Sequence, residues 1–134
     1  MKFRDLTSEE IEVRIQSVVK NDKGVILLLY KDARVDQNIL DESITPKYWQ
    51  KEYYEAKGIL FCKVGINVGA LTGGDDTWVW KADCGSESNI EAQKGEASDA
   101  FKRACFNWGI GRELYTAPFI WISSSKANIQ KRDN

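Results

Sequence analysis

The strongest periodic signal in the chain is a single apolar stripe, Ala97, Ala100, Phe101, Ala104, Cys105 and Trp108, at the spacing of one helix face. It predicts a helix from about Asn89 to Gly109 whose stripe packs on a sheet, with Gly109 suited to the left-handed conformation that ends helices. Ahead of it, Leu60, Cys62, Val64, Ile66 and Val68 alternate with Phe61, Lys63, Gly65 and Asn67, a period of two that reads as a strand. Beyond the turn cluster Thr72-Gly73-Gly74-Asp75-Asp76, the residues Trp78, Trp80, Ala82 and Cys84 share one strand face, and Thr77, Val79, Lys81 and Asp83 share the other. With the aromatic, charge-alternating segment Tyr48 to Lys57, these runs predict a three-stranded antiparallel meander.

The N-terminal third is less regular. Thr7-Ser8-Glu9-Glu10 places a hydroxyl three residues ahead of a carboxylate, the reciprocal arrangement that satisfies free amides at a helix start. Ile11, Ile15, Val18 and Val19 follow at helical spacing, so a first helix is predicted from Ser8 to Val19. After turn residues 21–24, the unbroken apolar run Val25 to Tyr30 is compatible with a buried strand or a buried helical segment. Ala33, Val35, Ile39, Leu40 and Ile44 predict a second short helix that stops before Pro46. Leu114 to Ile122 contains Pro118 and reads as an edge strand or an extended packed segment. Residues 123–134 are polar and aperiodic, a mobile tail beyond a single core domain at 1–122. The class expected is α+β: an N-terminal helix, then a three-to-four-stranded antiparallel meander packed against one long helix, a β-β-β-α core.

Composition narrows the chemistry. The 134 residues contain no histidine, which removes hydrolase triads and histidine metal sites. The three cysteines, Cys62, Cys84 and Cys105, are widely spaced and make a poor zinc set. Neither a phosphate-binding P-loop nor a dinucleotide fingerprint is present, so no cofactor and no metal is expected. With 43% hydrophobic and 29% charged residues the chain reads as one globular domain. The longest apolar run is far short of the roughly 20 residues of a membrane span, and the charged start Met1-Lys2-Phe3-Arg4-Asp5 is unlike a signal peptide. A cytoplasmic protein without membrane contact is expected.

Net charge is −1, but it is unevenly distributed. Residues 94–134 carry seven Lys/Arg against four Asp/Glu, whereas residues 1–93 carry twelve against sixteen. On the long helix, Lys102 and Arg103 project from the side opposite the apolar stripe, where two cations can hold phosphates; the plain alternative is a solvated face paired with Asp99 and Ser98. Trp78 and Trp80 have the chemistry of base-stacking platforms, but their spacing beside Ala82 and Cys84 assigns them to the core. The carboxylates Asp75, Asp76, Asp83, Glu87 and Glu91 would suit a metal-dependent nuclease, yet their spacing is poor for it.

Several strings then carry a resemblance: Val13-Arg14-Ile15, Tyr30-Lys31-Asp32-Ala33-Arg34, Leu40-Asp41-Glu42, Pro46-Lys47-Tyr48-Trp49-Gln50, and above all Lys94 to Ala104, with its S-D-A-F-K-R-A helix after a meander. Over about residues 8–115 the chain resembles the single-strand annealing proteins of the Rad52 superfamily, including phage and bacterial DNA-repair members. The resemblance implies a ring or helical filament of identical subunits, with single-stranded DNA in a basic groove and its bases turned to solvent. It implies non-enzymatic, ATP-independent annealing of complementary strands in recombination or double-strand break repair. Lys102 and Arg103 match the basic pair lining the family's groove, and Tyr30 matches an aromatic on the adjoining wall. Lys20 and Lys94 match further basic positions, with Arg14 and Arg34 as weaker matches. Phe106 stands where some members carry another basic residue. The rival expectation is a protein-interaction module that keeps the fold without annealing.

Overall fold

In the computed structural model, residues 1–19, 23–85, 92–117, 120–123 and 125 are described, with backbone alone at 92–94. Among them, six strands in two antiparallel sheets accompany three helices: β1 (Glu12–Val18), β2 (Gly24–Tyr30), α1 (Ala33–Ile44), β3 (Trp49–Ala56), β4 (Ile59–Asn67), α2 (Val68–Leu71), β5 (Trp78–Cys84), α3 (Ala92–Asn107) and β6 (Ile120–Ser123). The chain divides into two compact units. One comprises Met1–Asp5 and Asp32–Arg112; the other comprises Leu6–Lys31 and the described residues from Glu113 onward.

In the first unit β3, β4 and β5 pair in chain order. Their register aligns Trp49 with Ile66 and Val79, Lys51 with Val64 and Lys81, and Tyr53 with Cys62 and Asp83, which puts all nine on one face. That face receives α3. Cys62, Val64 and Ile66 of β4 and Ala100, Ala104 and Cys105 of α3 are all 0% exposed, so the stripe and the alternating strand bury each other. Three side-chain hydrogen bonds run between α3 or its C-terminal edge and the sheet backbone. Leu60 N–H donates to Glu96 Oε1 (3.1 Å), Asn107 Nδ2 donates to the Ala82 carbonyl (3.0 Å), and Trp108 Nε1 donates to the Val64 carbonyl (2.9 Å). Beyond Asn107 the chain turns at Gly109, with φ 98°. Helix α1 starts at Asp32, whose carboxylate accepts from Arg34 N–H (2.8 Å), and buries Ile39, Leu40 and Ile44. Its Asp41 accepts from Trp49 Nε1 (2.8 Å), and the Trp49 ring stacks on Phe101, centroids 6.1 Å apart.

The assignment of Trp78 and Trp80 to the core is corrected, since both are only half-buried. They pair with Asn67 and Gly65 on the face of the sheet opposite α3, where their rings stack on each other 6.1 Å apart. Lys63 Nζ lies 4.7 Å from the Trp80 ring centroid. Gly65 makes room for that ring, since a Cβ there would meet it at 2.7 Å. Alternation told which residues share a face but not which face the helix would choose.

In the second unit β1, β2 and β6 form a sheet with β2 central. The predicted helix from Ser8 to Val19 does not form. A single 3-10 turn at Ser8–Glu10 is followed by strand β1. The local signal at its start is real, because Glu10 Oε1 accepts from Thr7 N–H (2.8 Å), but the turn closes there. The helical spacing farther on has another origin. Val13 opposes Leu29 and Ile15 opposes Leu27, then a bulge between Ile15 and Ser17 shifts the register so that Val18 opposes Val25. One extra residue converts a period of two into a gap of three, which imitates helical periodicity. The run Val25 to Tyr30 resolves as a strand, and the Leu114 to Ile122 segment supplies edge strand β6, paired with β2 from Gly24↔Ser123 to Leu27↔Ile120. Most of the polar tail lies outside the described residues.

Two groups under α3 have raised pKa values. Burial, opposed only partly by the Lys51 ammonium and a hydrogen bond with Tyr53, pushes the Cys62 thiol from 9.0 to about 11. Burial and then the neighbouring Cys62 and Cys105 thiolates raise the Tyr53 phenol from 10.0 to about 12. Tyr53 keeps 41% of its surface exposed, but its hydroxyl donates to the Ala97 carbonyl (3.3 Å) on α3. Both groups hold their protons in the fold to higher pH than in the unfolded chain. The stability this supplies is complete below pH 9 and is lost as pH rises through about 11 for Cys62 and about 12 for Tyr53. Urea midpoints measured from pH 8 to 11 are expected to fall on the alkaline side, and more shallowly in Cys62→Ala; a flat native profile would contradict the burial of the thiol.

Candidate nucleic-acid interface

The expected basic pair sits in the second half of α3. Lys102 is half-buried and Arg103 is exposed. Arg103 does not project from the side opposite the sheet, as the helical pattern alone suggests. It lies on the flank of α3 that borders β5, with Nε 3.7 Å from Asp83 Oδ1. Four residues later on the same flank, Asn107 Nδ2 also reaches the Asp83 carboxylate, 3.3 Å from Oδ2.

Two further cations gather at this end of the helix. Lys81, two residues before Asp83 on the same face of β5, places Nζ 5.1 Å from the Trp108 ring centroid. Arg112, just past the helix, donates from Nε to the Phe106 carbonyl (3.0 Å) and from Nη2 to the Asn107 carbonyl (3.2 Å). Its guanidinium lies 5.5 Å from the Phe106 ring centroid. It thereby pairs the Asn107 carbonyl, joins the Gly109 N–H at the Phe106 carbonyl and complements the negative end of the helix dipole. Phe106 itself brings no charge, yet its ring carries one from the following segment. Arg112 had a usable sequence signal, a cation within a turn or two of a helix end. Lys81 and Asp83 had none, because their position beside α3 depends on strand register.

The remaining candidates divide. Tyr30 ends β2 in the second unit, and the Arg14 guanidinium lies 5.2 Å from its ring centroid on the neighbouring strand, so these two candidates do come together. Arg34 is exposed in the first turn of α1. Lys20 and the side chain of Lys94 lie outside the described residues. Among the carboxylates weighed for a nuclease, Asp76 accepts from Asn67 Nδ2 (3.0 Å), and Asp83 is engaged as above. Glu87 and Glu91 lie outside the described residues. Among the described residues no three His, Cys, Asp or Glu side chains group so as to hold a metal ion, and no helix is long and apolar enough to cross a membrane.

What this arrangement offers chemically is a set of cations and hydrogen-bond donors along one edge of a helix, with the Asp83 carboxylate among them. Charge and hydrogen-bond donors of this kind position a phosphate backbone and carry no sequence information.

Comparison with known proteins identifies relatives of the chain. The family model described as Rad52/22 family double-strand break repair protein matches residues 4–133. The single-stranded DNA-binding protein DdrA of Deinococcus radiodurans is 37% identical over 98 residues, 72% of this chain and 44% of that protein. The protein of the same name from Deinococcus deserti is 30% identical over 112 residues, 82% of this chain and 52% of that protein. The chain spans about half the length of these curated relatives. No solved structure matches it.

Proposed function

The chain belongs to the Rad52/22 family of double-strand break repair proteins, and from that membership we propose that it binds single-stranded DNA and anneals complementary strands in recombination or repair, without ATP and without bond-making chemistry. The observation that carries this reading is the cationic set about the second half of α3, Lys81, Lys102, Arg103 and Arg112, in a chain whose net charge is −1. Clustered cations grip phosphates whatever the sequence, leaving bases available for pairing. The name borne by both relatives, single-stranded DNA-binding protein, points the same way. In this reading Lys102 and Arg103 are the principal contacts, Tyr30 with Arg14 forms a second contact region, and Lys20 and Lys94 add charge along the strand. Identical subunits in a ring or filament would join their basic surfaces, so that modest charge on each sums to a useful grip.

The test is fluorescence-monitored annealing of two complementary oligonucleotides without ATP or metal. Acceleration over the spontaneous rate that weakens steadily as salt is raised is the expected result, because neutralised phosphates release their counterions. No acceleration and no oligonucleotide binding at low salt would leave only the shared fold.

A further inference from the structure

Arg103 stands beside a carboxylate that is more firmly held than the arginine is. Asp83 Oδ1 accepts from the Cys84 backbone N–H at 2.8 Å, and Oδ2 lies 3.3 Å from the Asn107 amide nitrogen. The guanidinium approaches only to 3.7 Å, outside hydrogen-bond range, with 47% of the Arg103 side chain exposed against 29% of Asp83. A pair built for strength would be bidentate and within hydrogen-bond distance. This one fixes the acid and leaves the base free to swing away.

Resting on the reading of Arg103 as a phosphate contact, we propose that Asp83 is a built-in competitor for the phosphate at Arg103, which moderates the protein's grip on single-stranded DNA. The carboxylate acts twice. It offers Arg103 an anion within the molecule when DNA is absent, and it repels the phosphate that would replace it. A long, partly exposed pair of this kind is readily exchanged, so the outcome is a weaker, faster-releasing contact rather than a closed one. Such a contact suits strands that must be let go once paired.

The experiment is fluorescence anisotropy of a labelled oligothymidylate titrated with native protein, Asp83→Asn, Arg103→Ala and the double variant across a salt series. Asparagine keeps an oxygen for the Cys84 N–H; Asp83→Ser serves as a second uncharged variant should the first melt below the native protein. Asp83→Asn is expected to bind up to about fivefold tighter at low salt, with a salt slope steeper by up to about 0.7, the value of one single-strand phosphate contact. In the Arg103→Ala background the same substitution is expected to give a clearly smaller gain, since only the repulsion remains. An equal gain in both backgrounds would mean a general charge effect and overturns the proposal. Arg103→Ala weakening binding while Asp83→Asn leaves it unaltered overturns the proposal alone. Arg103→Ala binding as tightly as native overturns the phosphate role of Arg103, and the proposal with it.

Discussion

Replacing Lys102 and Arg103 together with alanine is expected to weaken oligonucleotide binding by at least about tenfold at low salt and to remove most of the annealing acceleration. A single charged hydrogen bond is worth roughly tenfold or more when it is desolvated, and less on an exposed helix edge, so a pair comfortably supports that figure. The sharper signature is ionic. For single-stranded DNA, every phosphate that the protein no longer neutralises lowers the slope of log affinity against log salt by about 0.7, so the double variant should show a slope shallower by up to about 1.4. Alanine is the best helix former, and neither side chain belongs to the buried stripe, Lys102 being half-buried and Arg103 47% exposed, so α3 should persist with its circular dichroism unchanged. A folded double variant that anneals at the native rate would exclude this helix as the DNA-binding element.

Phe101→Ala is expected to have the largest effect on stability. Phe101 is 1% exposed at the centre of the α3 stripe, stacked on Trp49 and lying 4.6 Å from Lys51 Nζ. Truncating such a ring costs about 3–5 kcal/mol, the forfeited transfer energy plus a cavity that rigid neighbours cannot fill. Total stabilities run about 5–15 kcal/mol, so the variant sits at the margin of folding. Phe101→Leu, which keeps more of the volume, should recover a large part of the loss. Urea denaturation followed by tryptophan fluorescence reads both, since Trp49 reports directly on this packing. A midpoint within experimental scatter of the native one would show that Phe101 does not hold the helix to the sheet.

These two expectations differ in how visible they are in the sequence. Phe101 and its stripe are legible because a helix on a sheet imposes two simple periodicities, 3.6 on α3 and two on β4. For the same reason α1 and the paired strands β3 to β5 can be read directly. Strand β1 could not be, since the bulge at Gln16 disguises its alternation, and only the pairing with β2 reveals it. The face taken by Trp78 and Trp80 was hidden because alternation is symmetrical: both faces of β5 contain apolar residues, and the choice rests on which side of β4 is apolar throughout. The candidate site was legible where it rests on α3 alone. Lys102 and Arg103 stand out beside the stripe and Arg112 follows the helix end, but the acid facing Arg103 and the cation at Lys81 come from a strand that only the tertiary structure brings to that end of the helix.

The three side-chain bonds joining α3 and its C-terminal edge to the sheet have a mechanical consequence. Glu96 grips β4 near one end of the helix, and Asn107 and Trp108 grip β5 and β4 at the other. A one-residue slide of the helix would turn its side chains by about 100° and break all three anchors, along with the apolar fit. The helix therefore behaves as a clamped ruler: the backbone positions from which its charged side chains reach out are set before any ligand arrives. Binding to such a scale requires little ordering of the protein, so the entropy cost of association falls chiefly on the flexible nucleic acid strand.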